Sequence, residues 1–228
     1  MFFKKLVLGV FVLLCGGFLI SGCRRSSSNQ IKTNDQMPPV VLWAWERGED
    51  LRFLDAKKTG VAFLAQTLIL EADEVIFRPR RQPLEVAPDV YLIAVTRIET
   101  NKEKAMRPTL SDQQKSETVA LIKRTLARPN ARAVQIDFDA VVSERNFYKS
   151  LVEKLRKELP ENFPVTMTAL ASWCVGDKWL NEMPADEAVP MIFRMGADDK
   201  PIRDFLAKGG DWREPLCKGS YGVALDEP

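Results

Sequence analysis

The sequence has no histidine in 228 residues. That absence removes Ser-His-Asp and Cys-His catalysis, imidazole metal ligation and histidine as a general base. Acid–base chemistry falls instead to Asp, Glu, Lys, Tyr or a thiol. An excess of one charge is also lacking. There are 33 basic and 31 acidic residues, and two of the basic ones, Lys4 and Lys5, belong to an N-terminal leader. The clusters Arg78-Pro-Arg80-Arg81 and Lys154 to Lys157 therefore read as solvated faces, and no nucleic-acid partner is expected. No glycine-rich phosphate loop follows the first β-type run, which argues against a dinucleotide-binding sheet. No cofactor or metal is assigned.

One long apolar run is present, Leu6 to Ile20, after the positive start Lys4-Lys5. It ends in Ile20-Ser21-Gly22-Cys23, a small-residue cut followed by cysteine. Residues 1–22 read as a bacterial lipoprotein signal, with Cys23 as the lipidation site. Residues 23–38 are polar and read as a flexible tether. The expected location is a lipid anchor on the cell membrane after export, facing the periplasm from the outer membrane in a Gram-negative source. Residues 39–228 suffice for one domain with a good core. Of four cysteines, Cys15 leaves with the signal and Cys23 takes lipid. Cys174 and Cys217 remain, as a disulfide or as two free thiols.

The domain alternates β-type runs with helical patterns. Core strands are expected at Val40–Glu46, Gly60 through Leu70, Val90–Glu99, Ala133–Ala140, Val165–Cys174, Val189–Met195 and Tyr221–Pro228. Glu74–Arg78 reads as the second arm of an inserted β-hairpin. Ser111 and Gln114 make a capping box before a helix with Val119, Ile122 and Leu126 on one face. A second helix can start at Ser143, with Phe147, Leu151, Leu155 and Leu159 on one face and Pro160 as its stop. Short helices are expected at Asp177–Glu182 and after Asp198 or Asp199. This alternation predicts a parallel α/β fold, a (β/α)₈-type barrel incomplete at the C-terminus, with seven core strands.

Strand starts are plain and strand ends are polar. Strand ends supply Trp45 and Glu46, Arg97 and Glu99, Asp137 and Asp139, Trp173, Arg194, and Asp226 and Glu227. In barrels of this type the C-terminal strand ends carry the site. Gln135, Asp137 and Asp139 alternate onto one strand face, with the two aspartates roughly 6.6 Å apart along it. Glycosidic hydrolysis uses two carboxyl groups about 5 to 9.5 Å apart, and tryptophan beside carboxylates suits sugar. Asp137 and Asp139 are the candidate catalytic pair; the other strand-end residues are candidate substrate contacts. Core packing for Trp43, a structural ion pair for Arg97 and Glu99, a structural network of the two aspartates with Arg97 or Arg194, and divalent-metal binding by the acids are the competing readings.

Taken together, Trp43-Ala-Trp45-Glu46-Arg47, Gly60-Val-Ala-Phe-Leu, Val95-Thr-Arg97-Ile-Glu99, Val134-Gln-Ile-Asp137-Phe-Asp139-Ala, Met167-Thr-Ala-Leu-Ala-Ser-Trp173-Cys174 and Gly222-Val-Ala-Leu-Asp226-Glu227-Pro228 carry a family likeness. They resemble domain-of-unknown-function family 3142, a group of uncharacterised bacterial lipoproteins. The resemblance spans residues 39 to 228 and implies no established activity. Members commonly continue past Asp-Glu-Pro into another strand. A weaker likeness is to chitinase-type glycoside hydrolases. There Asp137 matches the last aspartate of the fourth-strand motif and Asp139 the catalytic glutamate, while Gln135 and Arg132 replace two acids. Two functions follow as expectations: hydrolysis of envelope or exported polysaccharide by carboxylate chemistry, or non-catalytic glycan binding or scaffolding on the same barrel.

Overall fold

A computed structural model describes residues 37–225. The signal segment, Cys23, all of the tether before Met37, Asp226 and Glu227 lie outside the described residues. No helix of the described residues is long and apolar enough to cross a membrane.

The chain forms β1 (Val40–Ala44), β2 (Glu49–Leu51), β3 (Thr59–Glu71), β4 (Glu74–Pro79), β5 (Leu84–Val86) and β6 (Leu92–Thr100). Then come α1 (Asp112–Arg124), β7 (Ala131–Asp137), α2 (Arg145–Glu158), β8 (Val165–Leu170), α3 (Ala171–Val175), β9 (Glu187–Met191) and α4 (Asp199–Ala207). The main sheet runs β1-β3-β6-β7-β8-β9, with every pair on this path parallel, and β4 joins β3 antiparallel. Spatial order follows chain order with no reversal, the arrangement of a barrel wall and not of a doubly wound sheet.

The sheet curls into a half-barrel. In a flat sheet, five strand spacings would part β1 from β9 by about 24 Å. Yet the Trp43 ring of β1 lies 6.0 Å, centroid to centroid, from that of Phe193, just past β9. The Trp43 indole N–H also donates to Gln135 Oε1 of β7 at 3.0 Å. Gly222 passes the same ring so closely that a Cβ there would lie 3.0 Å from it and 3.2 Å from the Pro190 carbonyl oxygen.

Two faces of the wall are packed differently. Ala62, Ile93, Val95 and Ala133 face the concave side with Trp43 and Trp45. Outside, α1 and α2 cover the sheet through Val119, Ile122, Phe147, Leu151 and Leu155. Ser111 and Gln114 form the expected capping box of α1. Leu159 is buried and the chain turns away at Pro160. Leu151 has no exposed surface, so Leu151→Ala is expected to cost about 2–5 kcal/mol in a denaturant titration.

The inserted hairpin is present as β3 and β4, and a β-bulge at Ala65 separates the part of β3 that pairs with β1 from the part that pairs with β4. Three expected elements differ. The fifth core strand stops at Leu170, and Ser172, Trp173 and Cys174 belong to α3. Leaving the sheet buries Trp173 and Cys174 among the outer helices. Asp177–Glu182 is a series of turns, being too short to sustain a helix and ending at Glu182 with φ 61°. The last run makes a single parallel bridge, Gly222 to Met191. Beyond it Val223 and Leu225 are exposed. Six parallel strands therefore stand where seven core strands were expected. A small parallel sheet of β2 and β5 was not foreseen.

Candidate functional site

Parallel register lines up side chains on the concave face. Val95, Gln135, Thr166 and Glu187 are neighbours across β6, β7, β8 and β9, and one layer higher Arg97, Asp137 and Thr168 are neighbours. The lower layer belongs to the barrel interior. Gln135 accepts from Trp43 and donates to Thr166 Oγ1 at 3.3 Å. The upper layer is charged and opens at the C-terminal ends of the strands.

Asp137 closes β7. The Thr168 hydroxyl of β8 donates to its Oδ1 at 2.7 Å. Burial raises the Asp137 pKa above the ordinary carboxylate value, opposed by the Thr168 bond, reinforced by Asp139, opposed by Arg97 and reinforced by Glu99. Asp139 stands two residues beyond, past the strand end, where the chain bends as Ala140 N–H donates to the Phe138 carbonyl at 2.8 Å. It is exposed at the rim, but the protein around its carboxyl still raises its pKa, with Arg97 opposing. Arg97 holds Glu99 at 3.1 Å and lies 6.0 Å over the Trp45 ring. Behind the strand, the buried Tyr148 hydroxyl donates to the Ile136 carbonyl at 3.2 Å. Its pKa is raised by burial first and then by the two aspartates.

The structure thus brings together Trp45, Arg97, Glu99, Asp137 and Asp139. It removes Trp173, which is 4% exposed in α3, edge-on to Trp179 at 4.8 Å, and cannot present a face to a ligand. Glu46 is exposed in the loop after β1. Arg194 is exposed in the turn after β9, with left-handed φ 50°, and is not among the charges acting on Asp137 or Asp139. Asp226 and Glu227 lie outside the described residues. Cys174 and Cys217 are joined by a disulfide, Cα to Cα 5.9 Å.

Sequence reasoning missed three residues here. Thr168 was legible in principle, since Thr166 and Thr168 alternate onto the concave face of β8. Glu144 braces the mouth: it accepts from the Thr100 hydroxyl at 2.7 Å, Lys102 at 2.9 Å and Val141 N–H at 2.9 Å, so it ties the loop after β6 to the loop after β7. Glu187 is buried at the start of β9, two residues before the strand expected from sequence, and burial raises its pKa. Among the described residues no group of three or more His, Cys, Asp or Glu could hold a metal ion.

A buried carboxylate with a raised pKa works against the fold when it is ionised. Between the unfolded pKa, about 3.9, and the raised folded value, the native state binds more protons than the unfolded one, so stability falls as pH rises through that window. Asp137→Asn keeps an acceptor for Thr168 and removes the charge. The variant is expected to melt higher than the parent near pH 7, by roughly 1 kcal/mol. The gain should vanish below about pH 4, as read from thermal melts at both pH values.

The mouth is therefore a set of acids, one arginine and one aromatic ring at the C-terminal edge of a curled parallel sheet. Neither the protein-family models nor the curated proteins contain a match to this chain.

Proposed function

We propose that the protein is an exported, Cys23-anchored envelope protein whose half-barrel mouth binds polysaccharide and cleaves it by carboxylate acid–base chemistry. One observation carries this reading. Asp137 and Asp139 share the rim with Arg97, Glu99 and Trp45, and both carboxyls are pushed toward the protonated form. A glycosidic oxygen needs a proton from a carboxylic acid while a second carboxylate answers the positive charge on the sugar. Asp139, at the rim, is the proton donor. Asp137, held by Thr168, supplies the stabilising charge. Trp45 is the sugar platform, and Arg97 and Glu99 bind hydroxyls. The resemblance to the uncharacterised lipoprotein family agrees with the anchor and is silent on the chemistry.

A second reading rests on Gln135. Where the chitinase-type pattern carries an acid, Gln135 is spent on Trp43 and Thr166. This favours a glycan-binding protein on the same scaffold, with no bond cleavage. The two separate in one experiment: the full-length chain in non-ionic detergent is incubated with a panel of envelope and exported glycans, and reducing ends are counted beside binding. New reducing ends support the hydrolase. Binding across the panel with none supports the binder, and no binding at all removes both.

A further inference from the structure

A second charged feature lies on the outer face of the wall. A cavity of about 310 Å³ opens there, lined by Phe63, Gln66, Phe77, Arg80, Arg124 and Arg128 among others. Phe63 faces outward from β3, on the side opposite Ala62 and the barrel interior. The arginines arrive from three separate places. Arg80 follows β4, Arg124 is the last residue of α1, and Arg128 precedes β7.

Two of the three guanidinium groups are held over aromatic rings. Arg128 stands 5.0 Å over Phe63, and Arg124 stands 5.5 Å over Phe77. Such stacking orients the planar group and leaves its edge donors available. Arg128 spends one donor on the Leu84 carbonyl, at 3.0 Å. Arg80 is not the solvated surface residue its sequence cluster implied. It is half-buried and clamps the carbonyls of Ala44, Trp45, Arg47 and Gln82. Burial first, and then the Arg128 charge, lowers its pKa, with Glu49 opposing.

Among the described residues no carboxylate forms an ion pair with Arg80, Arg124 or Arg128. The adjacent Lys123 shows the contrast, pairing with Glu158 at 2.9 Å. The negative C-terminal end of α1 accounts for a cation at Arg124. It does not account for Arg80 arriving from the hairpin side. Gln66, also in the lining, donates to Thr96 at 3.0 Å and adds no negative charge.

We propose that this outer cavity is a binding site for a phosphoryl group, carried by a small phosphate ester. Guanidinium forks match phosphate oxygens two at a time, and Arg124 and Arg128, neither ion-paired to a carboxylate among the described residues and with the Arg80 charge beside them, suit a phosphoryl anion. The volume is that of a small ligand or a headgroup. The inference does not rest on the reading of the barrel mouth.

The test uses the full-length chain in non-ionic detergent at constant ionic strength, with chloride as the reference. The probes are inorganic phosphate, a hexose phosphate, and dihexanoyl phosphatidic acid below its micelle concentration. Calorimetry and thermal melts are read together. Saturable binding of at least one probe, beyond the chloride reference, is expected. It should weaken tenfold or more in the Arg124→Gln/Arg128→Gln variant. Tighter binding of the hexose phosphate assigns a soluble ligand, and tighter binding of the phosphatidate assigns a lipid headgroup. If the double variant does not fold, Arg124→Gln alone decides, because Arg124 is exposed and stands over the exposed Phe77 ring. No binding beyond chloride, or binding unchanged in the variant that folds, overturns the proposal.

Discussion

Replacing Asp139 by asparagine is expected to lower glycan cleavage by about 10²–10⁴-fold while leaving binding within a few-fold, since that is the usual contribution of a general acid. Asparagine keeps the size and the hydrogen-bonding edge of the side chain and removes the transferable proton. Asp139 is exposed at the rim, so the change places no new polar group in the core. The pH profile adds a sign. On the proposed mechanism, cleavage requires Asp137 ionised and Asp139 protonated, so it would rise through the pKa of the first and fall through that of the second. Both are raised, with burial as the first cause. Both limbs should therefore lie above the ordinary carboxylate range, and they belong to the coupled pair rather than to either residue alone. In Asp139→Asn the alkaline limb should disappear. Unchanged cleavage in this variant would remove Asp139 from the mechanism and leave the pair as a binding feature.

The largest effect on stability is expected from the disulfide. Cys174 and Cys217 close a loop with a sequence separation of 43. On the chain-entropy account such a cross-link contributes about 4 kcal/mol by restricting the unfolded chain. In a domain of this size that loss lowers the melting temperature by roughly 10 °C. The bond also fastens the C-terminal segment to α3. Arg213 and Glu214 N–H donate to the Cys174 carbonyl at 2.9 and 3.2 Å, and Trp212 and Leu216 are buried beside it. Cys174→Ser/Cys217→Ser should therefore loosen this segment first. Denaturant melts of the parent, the parent with reductant, and the variant check the point. Equal stability in all three would mean that packing alone holds the segment.

The charged mouth and the outer cavity differ in how their charge is handled. At the mouth, Arg97 has Glu99 and the aspartates as neighbours. On the outside, three arginines line one cavity with no acid in its lining, and Glu49 acts on Arg80 from beyond it. Surface pairs elsewhere are conventional, such as Lys200 with Asp204 at 2.7 Å and Arg203 with Asp199 at 2.8 Å. These exposed pairs each contribute little. The outer cluster is the exception, with no carboxylate ion-paired to Arg80, Arg124 or Arg128 among the described residues.

Sequence alone determined the features that depend on near neighbours along the chain. Helix α1 begins where Ser111 can cap it, α2 buries the residues that recur every four positions, and the hairpin turns where polar residues interrupt two apolar runs. Arg97 and Glu99, like Gln135 and Asp137, share a face because side chains alternate in any strand. Tertiary structure decided what depends on distant partners. Trp173 continues an apolar β-type run, but burying its ring against Trp179 takes it out of the sheet and out of the site. Gly222 pairs with β9 through a single bridge, and the run does not continue as a strand beyond it. Cys174 meets Cys217, Thr168 meets Asp137, and Arg80 meets Arg128 only once the wall has curled and the helices have docked. Alternation and capping are set over a few residues, so they are written in the local order of the chain. Burial and charge proximity are set by which segments share a volume, and no short stretch of sequence records that.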